Sequence, residues 1–379
     1  MRVIALLLLL GSVSVGVVPD SVTVITEEPR EGAQWVQADA QGRAVLLLDG
    51  VTLEERPFAE GAFRDPEPLT QAAMTHGVVR RAARSRDGSS WVFVAPPGLR
   101  YFRGSQEERL AQPDRHVLGI GFHDGQPVVS VSPFLTGRTR PPGFSPPEDL
   151  PLVLVYAGDE WETLLERRNL VDEDTEQAQL DSYLVFATDA RRNLWAAHLY
   201  RYRVYQLSPS GKLRLTLEVD EGTPVPDEAT DEEREAATEA LREAAKAAGL
   251  SLEGATIIPT TQKPILDGIV AGLDGNIYLF ASGVPGDFPA LDRYNPYTNT
   301  LERLPLRIDY RGSVSMAAAK DGLLLAGYTV PKGIWMIPWE RLESASWKPV
   351  EGATADGLPL LPPQSRTSPQ HPSGPAPPH

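Results

Sequence analysis

Six polar side chains stand out in this 379-residue sequence because they could contact a ligand if the fold brought them to one opening. They are His198, Tyr200, Arg201, Asp287, Arg293 and Lys332. Together they offer an imidazole, a phenol, a carboxylate and three cations, which is the mixture of aromatic and charged groups expected of a binding surface. For each of them, a solvated or packing role is the alternative interpretation.

The sequence motifs of common enzyme classes are missing. There is no Gly-x-Ser-x-Gly elbow, no His-Glu-x-x-His pair and no Walker-type loop. Cysteine is absent altogether, which excludes thiol catalysis, cysteine zinc sites and covalent haem attachment. We therefore predict no catalytic residue, no metal ligand and no cofactor.

Asp-Gly turns recur along the chain and at first sight resemble loops that bind metal ions. They lack the dense carboxylate spacing of an EF-hand. Aspartate and glycine are also the residues that tight turns between antiparallel strands select. We interpret these turns as structural.

The elements that would position the six side chains are clearest in the stretch from Leu184 to Val219. Short β-prone runs alternate there with two polar turns, the second being Ser208-Pro209-Ser210-Gly211. Leu213, Leu215, Leu217 and Val219 then alternate with polar residues, as in a strand with one buried face. The stretch predicts a four-stranded antiparallel unit.

Weaker copies of this unit occupy most of the chain. Their equivalent turn positions are Gly42, Gly88, Gly125, Arg192, Gly275 and Gly322. Three of the five gaps between them suit the roughly 40–50 residue period of propeller repeats, and the other two contain visible insertions. We predict an all-β fold, a six-bladed β-propeller. Five or seven blades, an irregular β-sandwich and two small β domains are the alternatives.

Two turns carry a family resemblance. Asp189–Trp195 (DARRNLW) and Asp274–Tyr278 (DGNIY) resemble the pattern Asp-x-x-Gly-Asn-Leu/Ile-Trp/Tyr, the first with arginine for the glycine and the second without the two intervening residues. A Pro-Ser-Gly-Lys-Leu turn follows at Pro209–Leu213. Together these turns resemble the NHL-repeat and gluconolactonase (regucalcin-like) group of six-bladed propellers. Lactonases of that group hold a divalent cation on a Glu, two Asn and an Asp, and these four positions have no match here. The resemblance therefore implies a fold and not an activity.

The two ends of the chain and one insertion differ from the repeats. Residues 1–16 read as a secretory signal peptide, with an uncleaved membrane anchor as the alternative. Residues 17–351 form the predicted propeller, interrupted by an acidic surface helix at about 227–250 that begins at a Thr-x-x-Glu capping box. Residues 352–379 are rich in proline and predict a disordered tail.

Closure of the ring has two competing schemes in the sequence. The segment Ser21–Thr26 alternates like a strand that could complete the last unit. The last unit also contains a candidate fourth strand of its own at Trp347–Val350. The sequence leaves this choice open.

The net charge and the predicted cellular location restrict the possible partners. A formal charge of −15 disfavours nucleic acid, whose phosphates attract cations. No apolar run beyond the first residues is long enough to cross a bilayer, so we expect no transmembrane span beyond the signal sequence. We predict a monomer in the bacterial periplasm or outside the cell.

In propellers, ligands bind at the mouth of the central channel, on loops such as Leu199–Arg201 and Gly283–Phe288. Our leading hypothesis is a secreted, non-enzymatic module that binds a protein or glycan partner through these loops. The alternative is a metal-dependent lactonase or hydrolase of the propeller type. A third hypothesis is a scaffold within a periplasmic assembly.

Overall fold

The structure, a computed structural model, describes thirteen stretches of the chain. They are residues 23–24, 33–48, 55–59, 62–63, 81–95, 98–104, 106–135, 150–166, 183–219, 264–284, 289–306, 314–327 and 333–357. The predicted signal peptide at 1–16, the predicted helix at about 227–250 and residues 358–379 lie outside these stretches.

The described chain is almost entirely β-strand. The strands up to the middle of the chain are β1 (Thr23–Val24), β2 (Ala33–Ala38), β3 (Ala44–Leu48), β4 (Glu55–Ala59), β5 (Ala62–Phe63), β6 (Arg81–Arg84), β7 (Ser90–Ala95), β8 (Gly98–Arg103), β9 (Gln106–Leu110), β10 (Arg115–His123), β11 (Gln126–Leu135), β12 (Pro151–Ala157) and β13 (Glu160–Glu166). The remaining elements are β14 (Leu184–Thr188), β15 (Leu194–His198), β16 (Arg203–Leu207), β17 (Leu213–Val219), β18 (Leu266–Ala271), β19 (Ile277–Ala281), β20 (Ala290–Asn295), β21 (Thr300–Pro305), β22 (Val314–Ala318), β23 (Gly322–Gly327), β24 (Gly333–Pro338), helix α1 (Trp339–Ser344), β25 (Lys348–Pro349) and β26 (Ala353–Gly357).

These strands form six antiparallel sheets of four or five strands. In chain order, sheets 1 to 6 begin with β2, β6, β10, β14, β18 and β22. These six first strands contact one another in sequence, and β22 contacts β2, so the series closes on itself. The sheets therefore surround one axis, which is the architecture of a β-propeller. The prediction of an all-β propeller is confirmed.

The hydrophobic core lies between neighbouring sheets. One cluster joins sheets 4 and 5 through Trp195, Tyr202 and Tyr294, and others join sheets 3 and 4, 5 and 6, 6 and 1, and 2 and 3. A sheet inside the ring is covered on both faces, so all five residues of β15 and all five of β19 are buried. No sheet can bury both faces by itself, so each depends on its neighbours in the ring.

The N-terminal strand completes the last sheet. β1 pairs antiparallel with β24, with Thr23 opposite Met336 and Val24 opposite Trp335. Sheet 6 thus takes its fourth strand from the other end of the described chain. The expectation that Trp347–Val350 supplies this strand is wrong, because helix α1 turns the chain back toward sheet 5.

After α1, the C-terminal segment follows the outer edges of two other sheets. β25 pairs with β21 of sheet 5, and β26 pairs with β17 of sheet 4. We call residues 346–357 the C-terminal strap. The boundary of the propeller, predicted at residue 351, therefore moves: Ala353–Gly357 is a paired strand and not part of a disordered tail.

The fourth strand of sheet 2, which the sequence does not reveal, is β9 with the sequence QEERL. Four of its five residues are exposed because it is the outermost strand, and charges on such a strand discourage edge-to-edge association.

Among the described residues, no helix has the length and apolar character needed to cross a membrane.

Candidate functional site

A central cavity runs between the first strands of all six sheets. Its volume is about 200 Å³, and every first strand contributes to its wall. Most wall residues are small or apolar, among them Ala83, Gly119, Gly121, Gly268 and Ala317. The charged side chains that line it are Asp39, Arg84, Arg86 and Asp267.

One end of this channel, the turn face, carries the turns between first and second strands. There the Nη1 of Arg86 in sheet 2 donates to the carbonyl of Thr188 in sheet 4, at 2.7 Å. The Thr188 hydroxyl in turn donates to the carbonyl of Phe122 in sheet 3. Burial lowers the pKa of Arg86, and nearby Asp189 opposes that effect. Arg86 therefore links sheets 2 and 4, which are not neighbours in the ring.

The aspartates of the turn face serve the turns themselves. Asp189 accepts from the backbone amides of Arg191 and Asn193, from the Asn193 side chain and from the Trp195 indole, at 2.8–3.0 Å. Asp274 accepts from the Asn276 amide and side chain and from the Tyr278 hydroxyl. With these donors in place, the geometry agrees with a structural interpretation of the turns.

The other end, the loop face, carries the loops between second and third strands and three of the six predicted binding residues. His198 ends β15 and is buried, and its Nδ1 accepts from the Tyr200 amide at 3.1 Å. The Tyr200 ring packs edge-on against Tyr183, with centroids 5.6 Å apart. Arg201 is half-buried in the same loop. The structure thus brings His198, Tyr200 and Arg201 together.

A buried cluster of three polar side chains between sheets 4 and 5 holds this loop in place. Arg303 makes two 2.7 Å hydrogen bonds to Asp292, which is fully buried, and Asp292 also accepts from the Tyr202 hydroxyl. Burial, reinforced by the Asp292 charge, raises the pKa of Tyr202 well above its ordinary value. Tyr202 directly follows Arg201, so this group positions the loop.

The remaining predicted residues are not part of this cluster. Arg293 lies on β20, where it pairs with Glu302 at 2.6 Å and stacks on Trp347 of the C-terminal strap, 4.2 Å from its ring centroid. It is not among the residues that line the channel. Asp287 and Lys332 lie outside the described residues.

Asp267, which the sequence analysis did not single out, lies at the loop face of the channel. The pairing of β18 with β19 shifts between Leu266 and Gly268, which makes Asp267 the extra residue of a β-bulge. The residue is 4% exposed, and burial raises its pKa to about 7, although a hydrogen bond from Ser282 opposes that rise. An acid within the apolar run LDGIVA was the available signal, but beside Gly268 it resembles one more turn.

The loop of His198, Tyr200 and Arg201 is joined directly to the segment that precedes Asp267. The Leu199 carbonyl accepts from the amides of Ile265 and Leu266, at 2.6 and 3.1 Å. Leu199 and Asp267 both line the channel. The predicted mouth loop and the channel therefore meet at one face. Among the described residues, no three histidine, aspartate or glutamate side chains come together in a way that could hold a metal ion.

Comparisons with known proteins give structural neighbours only. No protein-family model matches the sequence, and no curated protein matches it. A catalytically inactive virginiamycin B lyase from Staphylococcus aureus with quinupristin is 12% identical, with a TM-score of 0.40, over 86% of this chain and 94% of that one.

Two further solved structures are similar at the same level. The WD40 repeats of RRP9 have 12% identity and a TM-score of 0.44, covering 81% of this chain and 94% of theirs. A streptogramin B lyase has 14% identity and a TM-score of 0.40, covering 82% and 94%. Similarity at this level carries no argument about activity, so the functional reasoning rests on the geometry of this chain.

Proposed function

We propose that this protein is a binding module that recognises a protein or glycan partner with the loop face of its propeller. The observation that carries the proposal is the junction of the mouth loop with the channel wall, through the two backbone hydrogen bonds to the Leu199 carbonyl. Leu199 of this loop lines the cavity, and the loop also carries an aromatic and a charged residue, Tyr200 and Arg201. A loop held in place by the fold is suited to binding a partner group without reorganisation.

The turn face is less suited to this role. Its adjacent turns are joined by short backbone hydrogen bonds, from Ala40 to Arg86 and from Lys320 to Gly42. The Arg86 side chain extends from sheet 2 to sheet 4 at this end. We therefore assign the partner to the loop face.

The finer architectural and cellular assignments belong to the same proposal. We propose a six-bladed ring of NHL-like repeats, supported by the six sheets and by the matching turns at Asp189 and Asp274. We also propose export to the periplasm or the exterior as a monomer, on the basis of residues 1–16 and the absence of cysteine.

Site-specific photocrosslinking to a partner, in a bacterial host that exports the protein, tests the binding role. The photoreactive residue p-benzoylphenylalanine replaces Arg201 on the loop face or, as the control, the exposed Glu343 of helix α1. We expect a discrete heavier adduct with the probe at position 201 and none at 343. Equal labelling at both positions, or none at 201, contradicts the proposal.

A glycan partner is distinguished by a second arm. Purified protein is applied to immobilised glycans, and Arg201→Ala is compared with Glu343→Ala. Retention that falls with Arg201→Ala alone assigns a glycan partner to the loop face. A protein adduct without glycan retention assigns a protein partner.

A further inference from the structure

The carboxyl of Asp267 is held at the channel wall with one oxygen unused. Its Oδ2 accepts from the Ser282 hydroxyl. Its Oδ1 is buried, and no donor among the described residues lies within hydrogen-bonding distance of it. A buried acceptor without a partner is unfavourable for folding, so a residue that keeps one indicates a role beyond folding.

The surroundings fix this carboxyl in place. Besides the bonds to the Leu199 carbonyl, the amides of Ser282 and Gly283 both donate to the Ile265 carbonyl, at 3.1 and 3.3 Å. Gly283 lies so close to Pro264 that a Cβ there would be 2.6 Å from the Pro264 carbonyl oxygen. Bulges commonly redirect a side chain near a functional site. The orientation of Asp267 is therefore set by the backbone on both sides.

The polar groups that converge at this point are mainly acceptors. They are the free Oδ1 of Asp267, the Pro264 carbonyl oxygen, which lies 3.2 Å from the Ser282 Oγ, and that Oγ itself, whose single proton goes to Asp267 Oδ2. Within the described part of the chain, Asp267 hydrogen-bonds to Ser282 and forms no ion pair. The described groups at this site thus offer a carboxyl and hydrogen-bond acceptors. An ammonium group, which has three donors and no acceptor, matches it.

The adjacent wall indicates what the ammonium group is attached to. The neighbouring lining side chains at this end include Leu184, Leu199, Val314 and Met316, all apolar. An unbranched methylene stem packs well on such a wall, in the way that lysine side chains bury their stems. The hydroxyls of an amino sugar would have to leave water beside apolar side chains, which is unfavourable.

We propose that Asp267, at the bulge of β18, is the receptor for a primary alkylammonium group, the side chain of a lysine on a protein partner. This inference rests on the proposed function and narrows its partner to a protein. The Asp267 carboxylate accepts a charge-assisted hydrogen bond through Oδ1, while Ser282 positions Oδ2.

The first test is calorimetric titration of the full chain with n-butylammonium chloride at pH 8. We expect roughly millimolar binding that is at least tenfold weaker in Asp267→Asn and unchanged in Asp321→Asn, an exposed acid of the turn face. n-Butanol and butyltrimethylammonium, which lack the charge and the N–H donors respectively, should both bind at least tenfold more weakly.

Three outcomes overturn the inference. They are equal affinity in Asp267→Asn, binding of n-butanol as strong as that of the amine, and the absence of any amine binding. Tighter binding of glucosamine than of n-butylammonium would replace the lysine by an amino sugar.

A second measurement needs no variant. Binding of a cation favours the charged carboxyl, so n-butylammonium should release about half a proton near pH 7, where Asp267 is half protonated, and almost none at pH 9. Titration in two buffers of different ionisation enthalpy gives this number. Amine binding without proton release at pH 7 contradicts the assignment to Asp267.

The two proposals fail separately. A crosslink at position 201 with no amine binding would leave the loop face as the binding surface and remove the role of Asp267. Amine binding at Asp267 with no crosslink and no glycan retention would leave an ammonium site and remove the binding role of the loop face.

Discussion

At the scale of single residues, the aspartates of the turn face differ from Asp267. Those on the turn face are supplied with donors from their own turns, as Asp189 is by backbone amides, an asparagine and a tryptophan. Asp267 has one hydrogen bond from Ser282 and one unused oxygen. The turn-face aspartates stabilise the fold, whereas the unused oxygen of Asp267 is the observation behind the ammonium proposal.

The raised pKa of Asp267 predicts how stability changes with pH. Between the ordinary value of 3.8 and about 7, the folded chain binds more protons at this site than the unfolded chain, so stability falls as pH rises through that window. Asp267→Asn removes this pH-dependent loss of stability, because an amide does not ionise. We expect the variant to be more stable than the parent at pH 8, by up to about 4 kcal/mol, and nearly equal at pH 4.

Urea denaturation at the two pH values measures this difference. Asp321→Asn serves as the control and should behave like the parent at both. If Asp267→Asn gives the same free energy of unfolding as the parent at pH 8, the carboxyl is not desolvated as the structure indicates.

The turn aspartates predict a graded loss. Asp189→Ala leaves the indole N–H of Trp195, a fully buried residue, without its acceptor and should lower the free energy of unfolding by about 2–4 kcal/mol. Asp274→Ala should cost about half as much, because Asp274 is exposed and water can replace it. Thermal denaturation of both variants checks which one loses more stability. Equal losses of unfolding free energy would show that burial of the aspartate does not determine the size of the loss.

One turn residue shows that the repeat is structural and not only compositional. Arg192 has a φ of 64°, the left-handed conformation that glycine adopts at the equivalent positions Gly42, Gly88, Gly125 and Gly275. Its Nη1 reaches Asp124 of the neighbouring sheet at 2.7 Å. The exposed ion pair contributes little, so the conformation is imposed by the turn, which Asp189 stabilises.

At the scale of elements, the C-terminal strap covers edges that would otherwise be open. β26 pairs with five residues of β17, and Trp347 contacts both Arg293 and Tyr278. An unpaired strand edge invites association with another chain. The strap therefore protects sheets 4 and 5 as well as stabilising them.

Truncation tests the strap. A chain that ends at residue 345 should lose roughly 3–5 kcal/mol of stability through the loss of Trp347 and β26, and should self-associate as its concentration rises. A chain that ends at Gly357 keeps the strap and should match the full-length protein. Thermal denaturation and light scattering compare the three. If the chain that ends at Gly357 self-associates, or the chain that ends at residue 345 does not, the proposed role of the strap is contradicted.

At the scale of the whole molecule, the ring is closed by the pairing of β1 with β24. This contact joins residues more than 300 positions apart, and the chain has no cysteine, so closure depends on non-covalent pairing. The closing sheet combines β1 from the start of the described chain with β22, β23 and β24 from near its end, which makes the stability of sheet 6 dependent on the N-terminal segment.

A disulfide tests that closure. Thr23→Cys with Met336→Cys places the only two cysteines of the chain at paired positions. We expect them to oxidise and to raise the unfolding free energy by about 2–4 kcal/mol, because the bond closes a very long loop. The reduced protein is the internal control. Failure to oxidise without denaturant would show that β1 does not lie beside β24.

The sequence by itself determined the all-β propeller repeat, the positions of the turns and the loop that carries His198, Tyr200 and Arg201. These features are local, because alternation and turn residues act over a few positions. It did not reveal β9, whose charged sequence reflects its place at an outer edge.

Only the tertiary structure decided how the ring closes, where the C-terminal strap lies and which acid lines the channel. Pairing partners such as Thr23 and Met336 are chosen by the geometry of the closed ring, and neither segment specifies the other. Asp267 differs from the turn aspartates only in what surrounds it, and burial inside a ring of six sheets is a property of the assembled molecule.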